Sequence, residues 1–360
     1  FMMVAGVESI GLCCDDQRCH FHPMRFKRRA LGEHDVHIAV KFCGICHTDV
    51  NFARGKVGAL AVYPMVPGHE LAGVCIAVGT KVSGFVAGDH VGVGCFVDSC
   101  LECPHCLAGE EQHCAKGMVR TYSAHDTYGR AANGPGFEGL PTLGGYSDQM
   151  VVHERFAVKV PRSYPLEGAG VLMCAGISVY SPLKRHGAGE GTRLGIMGLG
   201  GLGMMGVKLG KAMGCHVTVL SRSEAKRQYA LGLGADRYLP TSGAGALDAA
   251  GGSLDLILNT VSAAHDVGAF LKLLDTGGTM VLVGVNREPH SVPSAELIFR
   301  RRSVCGSLMG GVRATQEVVD LCAAHNIVPE TQIVRAAELP AVFERLEASN
   351  DAGVRYVLDV

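Results

Sequence analysis

Tryptophan is absent from this 360-residue chain, and aromatic residues of all kinds make up only 6% of it. An interface or pocket anchored on an indole ring is therefore excluded. Charge of one sign is also missing: 33 lysines and arginines stand against 34 aspartates and glutamates, a formal net charge of -1. That balance excludes the basic excess of a nucleic-acid binder, and there is no like-charge tail. No uninterrupted apolar run reaches the roughly 18 residues that a membrane helix needs. The longest, 194–207, is rich in glycine and stops at Lys208. Phe1-Met2-Met3-Val4 shows no basic segment leading into an apolar one, so no signal peptide is expected.

What the chain does have is thiols and glycines. Fifteen cysteines is an odd number in a long chain without secretory features. That argues against a disulfide framework and for a reducing compartment, with several thiolates committed to metal. A cytoplasmic location is the expectation. Hydrophobic residues at 48% exclude disorder, and the length calls for about two domains.

Residues 36–40, Val-His-Ile-Ala-Val, alternate as a strand does. Upstream, Cys13, Cys14, Asp15, Asp16, Cys19, His20 and His22 crowd together. Their linear spacing matches no tetrahedral ligand pattern, and they are read as strand or loop residues without a function. Next, Gly44-Ile45-Cys46-His47-Thr48-Asp49 places a soft metal ligand, two possible proton carriers and a carboxylate side by side. Taken alone, such a cysteine–histidine pair is most often an ordinary buried one. Between 66 and 97, short apolar runs at 74–79, 82–85 and 88–93 are broken by glycine and aspartate, the pattern of a small irregular β-barrel.

Cys100, Cys103, Cys106 and Cys114 then follow within fifteen residues. Each gap spans only a turn or two, so one metal can collect all four thiolates. A closed tetrahedral shell of that kind is structural zinc. A bacterial iron–sulfur pattern shares the first three cysteines, but seven residues separate the third from the fourth, which is followed by Ala115.

After Lys159-Val160-Pro161 strands and helices alternate, which indicates a parallel sheet. A strand at 193–197 runs into Gly198-Leu199-Gly200-Gly201-Leu202-Gly203, a helix at 204–213 follows, and a second strand covers 217–220. In that context the glycines form a dinucleotide loop, with pyrophosphate at the helix N-terminus. An NAD site places an acid at the end of the second strand. Here the chain reads Ser221-Arg222-Ser223, with Lys226 one turn on, and Glu224 comes too late. Hydroxyls and cations suit a 2′-phosphate, so NADP is expected over NAD. Further strands are expected at 254–258 and 279–283, with a helix over 267–274 between them. The tail reads as helices at 314–325 and 339–347 and a strand at 356–360, returning to the first domain.

From about residue 31 onward the sequence resembles the zinc-dependent medium-chain alcohol dehydrogenases, and within them the cinnamyl-alcohol-dehydrogenase-like branch. The resemblance rests on Cys-Gly-Ile-Cys-His-Thr-Asp at 43–49, Pro-Gly-His-Glu at 67–70, the four-cysteine segment, Cys-Ala-Gly-Ile-Ser-Val-Tyr-Ser-Pro-Leu at 174–183 and Gly-Leu-Gly-Gly-Leu-Gly at 198–203. It implies a GroES-like β-barrel catalytic domain over 1–163 with a structural zinc lobe at 98–116. A Rossmann NADP-binding domain over 164–305 and a return to the catalytic domain over 306–360 complete the implied organisation. It also implies a catalytic zinc held by Cys46, His69 and Cys174, with Glu70 as an adjacent or alternative ligand. Asp49 looks like the carboxylate that orients His69 through its other ring nitrogen. Thr48 looks like the hydroxyl that meets the substrate oxygen, and His47 like a neighbour of the pyrophosphate. Ser178, Thr260, Gly284 and Ser307 are implied to lie along the NADP. Two zinc ions per chain, a small alcohol or aldehyde substrate, no nucleic-acid or membrane partner and a homodimer complete the expectation.

Two departures stand out. Many relatives carry a histidine two residues after the aspartate, where this chain has Asn51, an amide that passes on a hydrogen bond but cannot act as a base. The missing tryptophan also sets the chain apart from lignin-pathway members, which line their pocket with it. The reading is therefore an NADP-linked enzyme of broad aldehyde specificity. A polyol or sugar dehydrogenase and a non-catalytic NADPH-binding protein of the same fold are the alternatives. A zinc-free quinone reductase would lack Cys46, Cys174 and the four-cysteine lobe.

Overall fold

The computed structural model describes residues 6–243, 245–286, 288–348 and 354–360, so Phe1 to Val4, on which the signal-peptide reading rests, lie outside the described residues. The chain divides into two compact units, Phe1–Cys174 with Gly310–Val360, and Ala175–Met309. The C-terminal segment thus returns to the first unit.

The first unit is built on a seven-stranded sheet. Its path runs Thr331–Val334, Arg355–Asp359, Asp35–Gly44, Leu71–Val78, His90–Val93 and Ala157–Val160, with Gln149–His153 paired to Asp35–Gly44 off that path. All pairings are antiparallel except that of Thr331–Val334 with Arg355–Asp359. The strand Asp35–Gly44 is central because its alternation buries Val36, Ile38 and Val40 on one side. Register shifts between His37 and Ile38 and between Val40 and Phe42 bend it, which lets one strand serve three neighbours.

The second unit is a parallel sheet in the order Arg237–Pro240, His216–Ser221, Arg193–Met197, Leu254–Asn259, Leu274–Leu282, Ser303–Gly306. Strand order reverses between Arg193–Met197 and Leu254–Asn259, which is the switch point of a doubly wound nucleotide fold. Met197, Leu220, Leu254, Ile257, Leu271, Leu274 and Met280 form one buried cluster in its core.

Several elements differ from the sequence expectation. Residues 82–85 form a loop instead of a strand. The Asp89 carboxylate accepts the Val86 amide at 2.9 Å in a turn that Gly88 closes at φ +89°, so the local backbone groups go to turns and not to a ladder. The helix expected over 267–274 ends at Leu271, because the strand Leu274–Leu282 begins earlier than its apolar stretch suggests. The first thirty residues, irregular in sequence, contain an antiparallel hairpin of Val7–Cys13 and His22–Arg28. One helical run, Leu166–Arg185, is long and apolar enough to cross a membrane by composition alone, and 72% of its apolar window is buried within the protein.

Candidate metal centre and nucleotide loop

The central strand Asp35–Gly44 delivers its end to one place. Gly44 N donates to the Glu70 carbonyl at 2.9 Å, and Ile45 N to the Tyr356 carbonyl at 2.8 Å. Residues 44 and 45 are thereby fixed between Glu70, just ahead of the strand Leu71–Val78, and the strand Arg355–Asp359. Gly44 is required here: a Cβ at that position would meet Glu70 Oε2 at 2.0 Å. Cys46 then caps the helix His47–Ala53, and the Asp49 carboxylate reaches back to accept the Cys46 amide at 2.9 Å.

Asp49 organises the site. Its side chain is fully buried and accepts from Gly68 N at 3.2 Å, His69 Nδ1 at 2.9 Å and Tyr146 Oη at 3.2 Å, besides Cys46 N. A carboxylate so bound fixes the imidazole ring through Nδ1 and turns Nε2 toward Glu70, whose Oε1 lies 4.0 Å away. Tyr122 packs its ring 5.9 Å from that of His69.

The last ligand arrives on a distorted turn. Helix Leu166–Val171 passes into a π-helical segment, Leu172–Gly176, before regular helix resumes at Ile177. The extra residue in that turn aims Cys174 at the site, a common use of π-bulges. Donor atoms of Cys46, His69, Glu70 and Cys174 all lie within 4.8 Å of one another, and all four residues are buried.

The electrostatics of this cluster suit a cation. The hydrogen bond with Cys174 lowers the Cys46 thiol well below its ordinary value, with Arg355 and His69 adding to it, and the same bond raises Cys174. Burial opposes charge on His69, yet the charges of Asp49 and Cys95 and the bond to Asp49 raise its pKa well above the usual value. Burial lifts the Glu70 carboxyl to about 6, against the pull of Arg355. Two thiols, an imidazole and a carboxylate sequestered together are a donor set that fits zinc: two thiolates and one imidazole leave a position open.

Sequence reasoning missed three neighbours. Arg355, itself buried, donates from Nε to Glu70 Oε2 at 3.1 Å and from its second nitrogen to Oε1. It lies 285 residues from Glu70, and nothing local marks it. Tyr146 and Cys95 were also missed. The Cys95 thiol donates to the Met173 carbonyl at 3.7 Å, and its pKa is lowered, first through a bond with Cys174. Replacing Arg355 by leucine should leave Glu70 buried without its cation and cost about 3–5 kcal/mol of stability. Denaturant unfolding measures this, and a loss below about 1 kcal/mol would show that Glu70 is neutralised by another group.

The four remaining cysteines also converge. Cys100, Cys103, Cys106 and Cys114 have sulfurs within 4.8 Å of one another. Backbone amides point at them: Cys103 N to Cys100 at 3.3 Å, Cys100 N to Cys114 at 3.4 Å and Ala115 N to Cys103 at 3.4 Å. Such donors favour thiolates, and the Ala115 amide leads the effects that lower Cys103 to about 6.

In the second unit the expected nucleotide residues collect at the carboxyl ends of the strands. Gly198 takes φ +89°, and a Cβ on Gly203 would meet the Gly198 carbonyl at 2.1 Å, so the turn and the close helix packing both need glycine. The helix begins at Gly201, with Gly200 as its cap. Leu199 is buried. Thr260 follows Leu254–Asn259 and bonds the Met197 carbonyl through Oγ1 at 2.8 Å; Gly284 approaches Thr260 and Val261 closely; Ser307 N donates to the Leu282 carbonyl at 3.0 Å. Ser221 ends its strand, Arg222 and Ser223 are exposed, and Lys226 lies in the following turn. Glu224 is engaged by Arg227, with one contact at 3.3 Å. Ser178 sits on Ile177–Arg185, a helix packed against Gly201–Ala212. His47 and exposed Thr48 belong to the first unit, on the helix that Cys46 caps.

Comparison with known proteins agrees with both halves. Residues 32–162 match the alcohol dehydrogenase GroES-like domain, and 201–324 match the zinc-binding dehydrogenase family. An NADP-dependent alcohol dehydrogenase C from Mycolicibacterium smegmatis is 47% identical over 333 residues, 92% of each chain. A solved cinnamyl alcohol dehydrogenase from Sorghum bicolor superposes with a TM-score of 0.91 at 42% identity, over 98% of this chain and 97% of its own. A CAD from Helicobacter pylori complexed with NADP(H) gives a TM-score of 0.88 at 38% identity, over 98% of both chains.

Proposed function

The chain belongs to the zinc-binding alcohol dehydrogenase family, and from that premise we propose how its own residues divide the work of an NADP(H)-linked oxidoreductase acting on primary alcohols and aldehydes. Cys46, His69 and Cys174 hold one zinc, with Glu70 beside it; Cys100, Cys103, Cys106 and Cys114 hold a second. When bound, the first zinc supplies Lewis acidity toward the substrate oxygen, and the nicotinamide supplies or accepts the hydride. The protein's part is placement. Asp49 keeps the His69 Nδ1 proton and so keeps Nε2 available. Thr48 offers its hydroxyl to the substrate oxygen, and Asn51 relays a hydrogen bond without titrating. Ser178, the glycine loop 198–203, Thr260, Gly284 and Ser307 position the dinucleotide, with Ser221, Arg222, Ser223 and Lys226 around its 2′-phosphate.

The observation that carries this reading is the buried donor set ordered by one four-bonded carboxylate. Broad specificity over aliphatic and aromatic aldehydes is part of this reading, and the absent tryptophan supports only its distance from the lignin-pathway members. A homodimer is supported by exposed Val285, Ile298 and Phe299 on the second unit, where Ser303–Gly306 is an edge strand of the sheet among the described residues. A cytoplasmic location is supported by the thiol chemistry, which needs a reducing compartment. A panel of aldehydes assayed with NADPH and NADH tests the function. Reduction of several aldehydes, with kcat/KM at least about tenfold higher for NADPH, is expected. Polyol or sugar oxidation alone, or nucleotide binding without turnover, would replace this reading by one of its alternatives.

A further inference from the structure

The hairpin that precedes the family-matched region brings together residues whose linear spacing shows no pattern. Cys13 ends one strand and His22 opens the next, and the antiparallel register sets them directly opposite each other. The connecting segment 14–21 returns Asp15 to the mouth of that pair. His22 Nε2 lies 2.8 Å from Asp15 Oδ2, and Cys13 Sγ lies 3.9 Å from Asp15 Oδ1. One donor atom from each of the three lies within 4.8 Å of the other two. The other ring nitrogen, Nδ1, faces the Pro23 carbonyl at 3.3 Å, which turns Nε2 toward the thiol and the carboxylate. A metal-ligating histidine is held in the same way. The loop is pinned as well: Cys14 and Met65 exchange two backbone hydrogen bonds at 2.9 Å, and Cys19 N donates to the Asp16 carbonyl at 3.0 Å.

We propose that Cys13, Asp15 and His22 form a further metal site, one that takes a borderline divalent cation such as Zn²⁺. Sulfur, imidazole nitrogen and carboxylate oxygen are the three donor types zinc accepts, and three protein ligands leave the fourth position to water. The exposed flanks of Asp15 and His22 keep that position open to solvent. Tetrahedral ligands at zinc distances stand about 3.3–3.7 Å apart, so roughly 1 Å of adjustment in the two exposed side chains completes the site. On binding, the thiol proton and the Nε2 proton leave to water, and sulfur–metal and nitrogen–metal bonds replace them, with no change of oxidation state.

The test uses the zinc-loaded full chain. After dialysis against buffered free Zn²⁺, the wild type should carry one more equivalent of zinc than His22→Ala or Asp15→Asn treated alike. Aldehyde reduction should be the same in all three. Both substitutions fall on exposed side chains, and circular dichroism verifies the fold. Co²⁺ added after a mild chelator has stripped the exposed site, leaving the buried zinc in place, should give a near-ultraviolet thiolate-to-cobalt band in the wild type that is lost in Cys13→Ser and in His22→Ala. Equal zinc content in the wild type and His22→Ala, or a cobalt band of undiminished size in Cys13→Ser, overturns the site. Because each readout is a difference between variants, it stands apart from whether Cys46, His69 and Cys174 hold the catalytic zinc.

Discussion

Cys46→Ser is expected to lower kcat for aldehyde reduction by about 10³-fold or more, which corresponds to roughly 4 kcal/mol of transition-state stabilisation. It should also remove one equivalent of zinc. The size follows from the position of Cys46. It is buried, it caps the helix that carries Asp49, and its sulfur is one of the clustered donor atoms. A serine hydroxyl is a poor zinc ligand and does not ionise in this pH range, so the cation would keep one thiolate and one imidazole. The fold should tolerate the change, because the Cys46 backbone amide still donates to Asp49. Metal content and kcat are therefore read on the same sample, against the unfolding curve as a control. Full turnover with one zinc missing would remove the metal from the reaction.

How much of this site was legible in the sequence depends on the range over which each signal acts. The four-cysteine lobe and the glycine loop are local. Their ligands and turns fall within fifteen residues, and the chemistry is set by spacing alone. The fold class was legible for a related reason: strands, glycine loop and helix alternate in chain order through the second unit. The centre at Cys46 is assembled from segments near 46, 69, 174 and 355, so no spacing rule predicts it; only the resemblance joined the first three. Arg355 escaped both routes. A lone arginine at the start of a C-terminal strand carries no mark, and its role exists only because Arg355–Asp359 lies beside Asp35–Gly44 in the sheet. The π-helical turn at 172–176 was equally invisible, since Leu-Met-Cys-Ala-Gly reads as plain apolar helix. Cys13, Asp15 and His22 show the converse: their types were visible in the sequence, but the register that places Cys13 opposite His22 was not.

The second large effect concerns cofactor choice. Ser221→Asp is expected to reduce kcat/KM with NADPH by about 10–100-fold while NADH activity is kept or rises, a difference of roughly 1.4–2.8 kcal/mol. Ser221 is the last residue of its strand, and its carbonyl is held by the Thr241 amide at 2.9 Å, so the backbone at this position is fixed. A carboxylate placed there stands where NAD-linked proteins put their ribose-binding acid. It would accept from the ribose hydroxyls of NAD and repel a 2′-phosphate. Like charges about 4 Å apart at a protein surface interact by about 4 kcal/mol before screening, which exceeds the discrimination required. The nearest native acid does not perform this function, because Glu224 is turned toward Arg227. The exposed Arg222 remains and would blunt the switch, so Ser221→Asp combined with Arg222→Ala should move the ratio further in the same direction. NADH turnover serves as the internal control for folding and for the zinc centre. An NADPH-to-NADH ratio unchanged in both variants would mean that the phosphate is recognised elsewhere in the second unit.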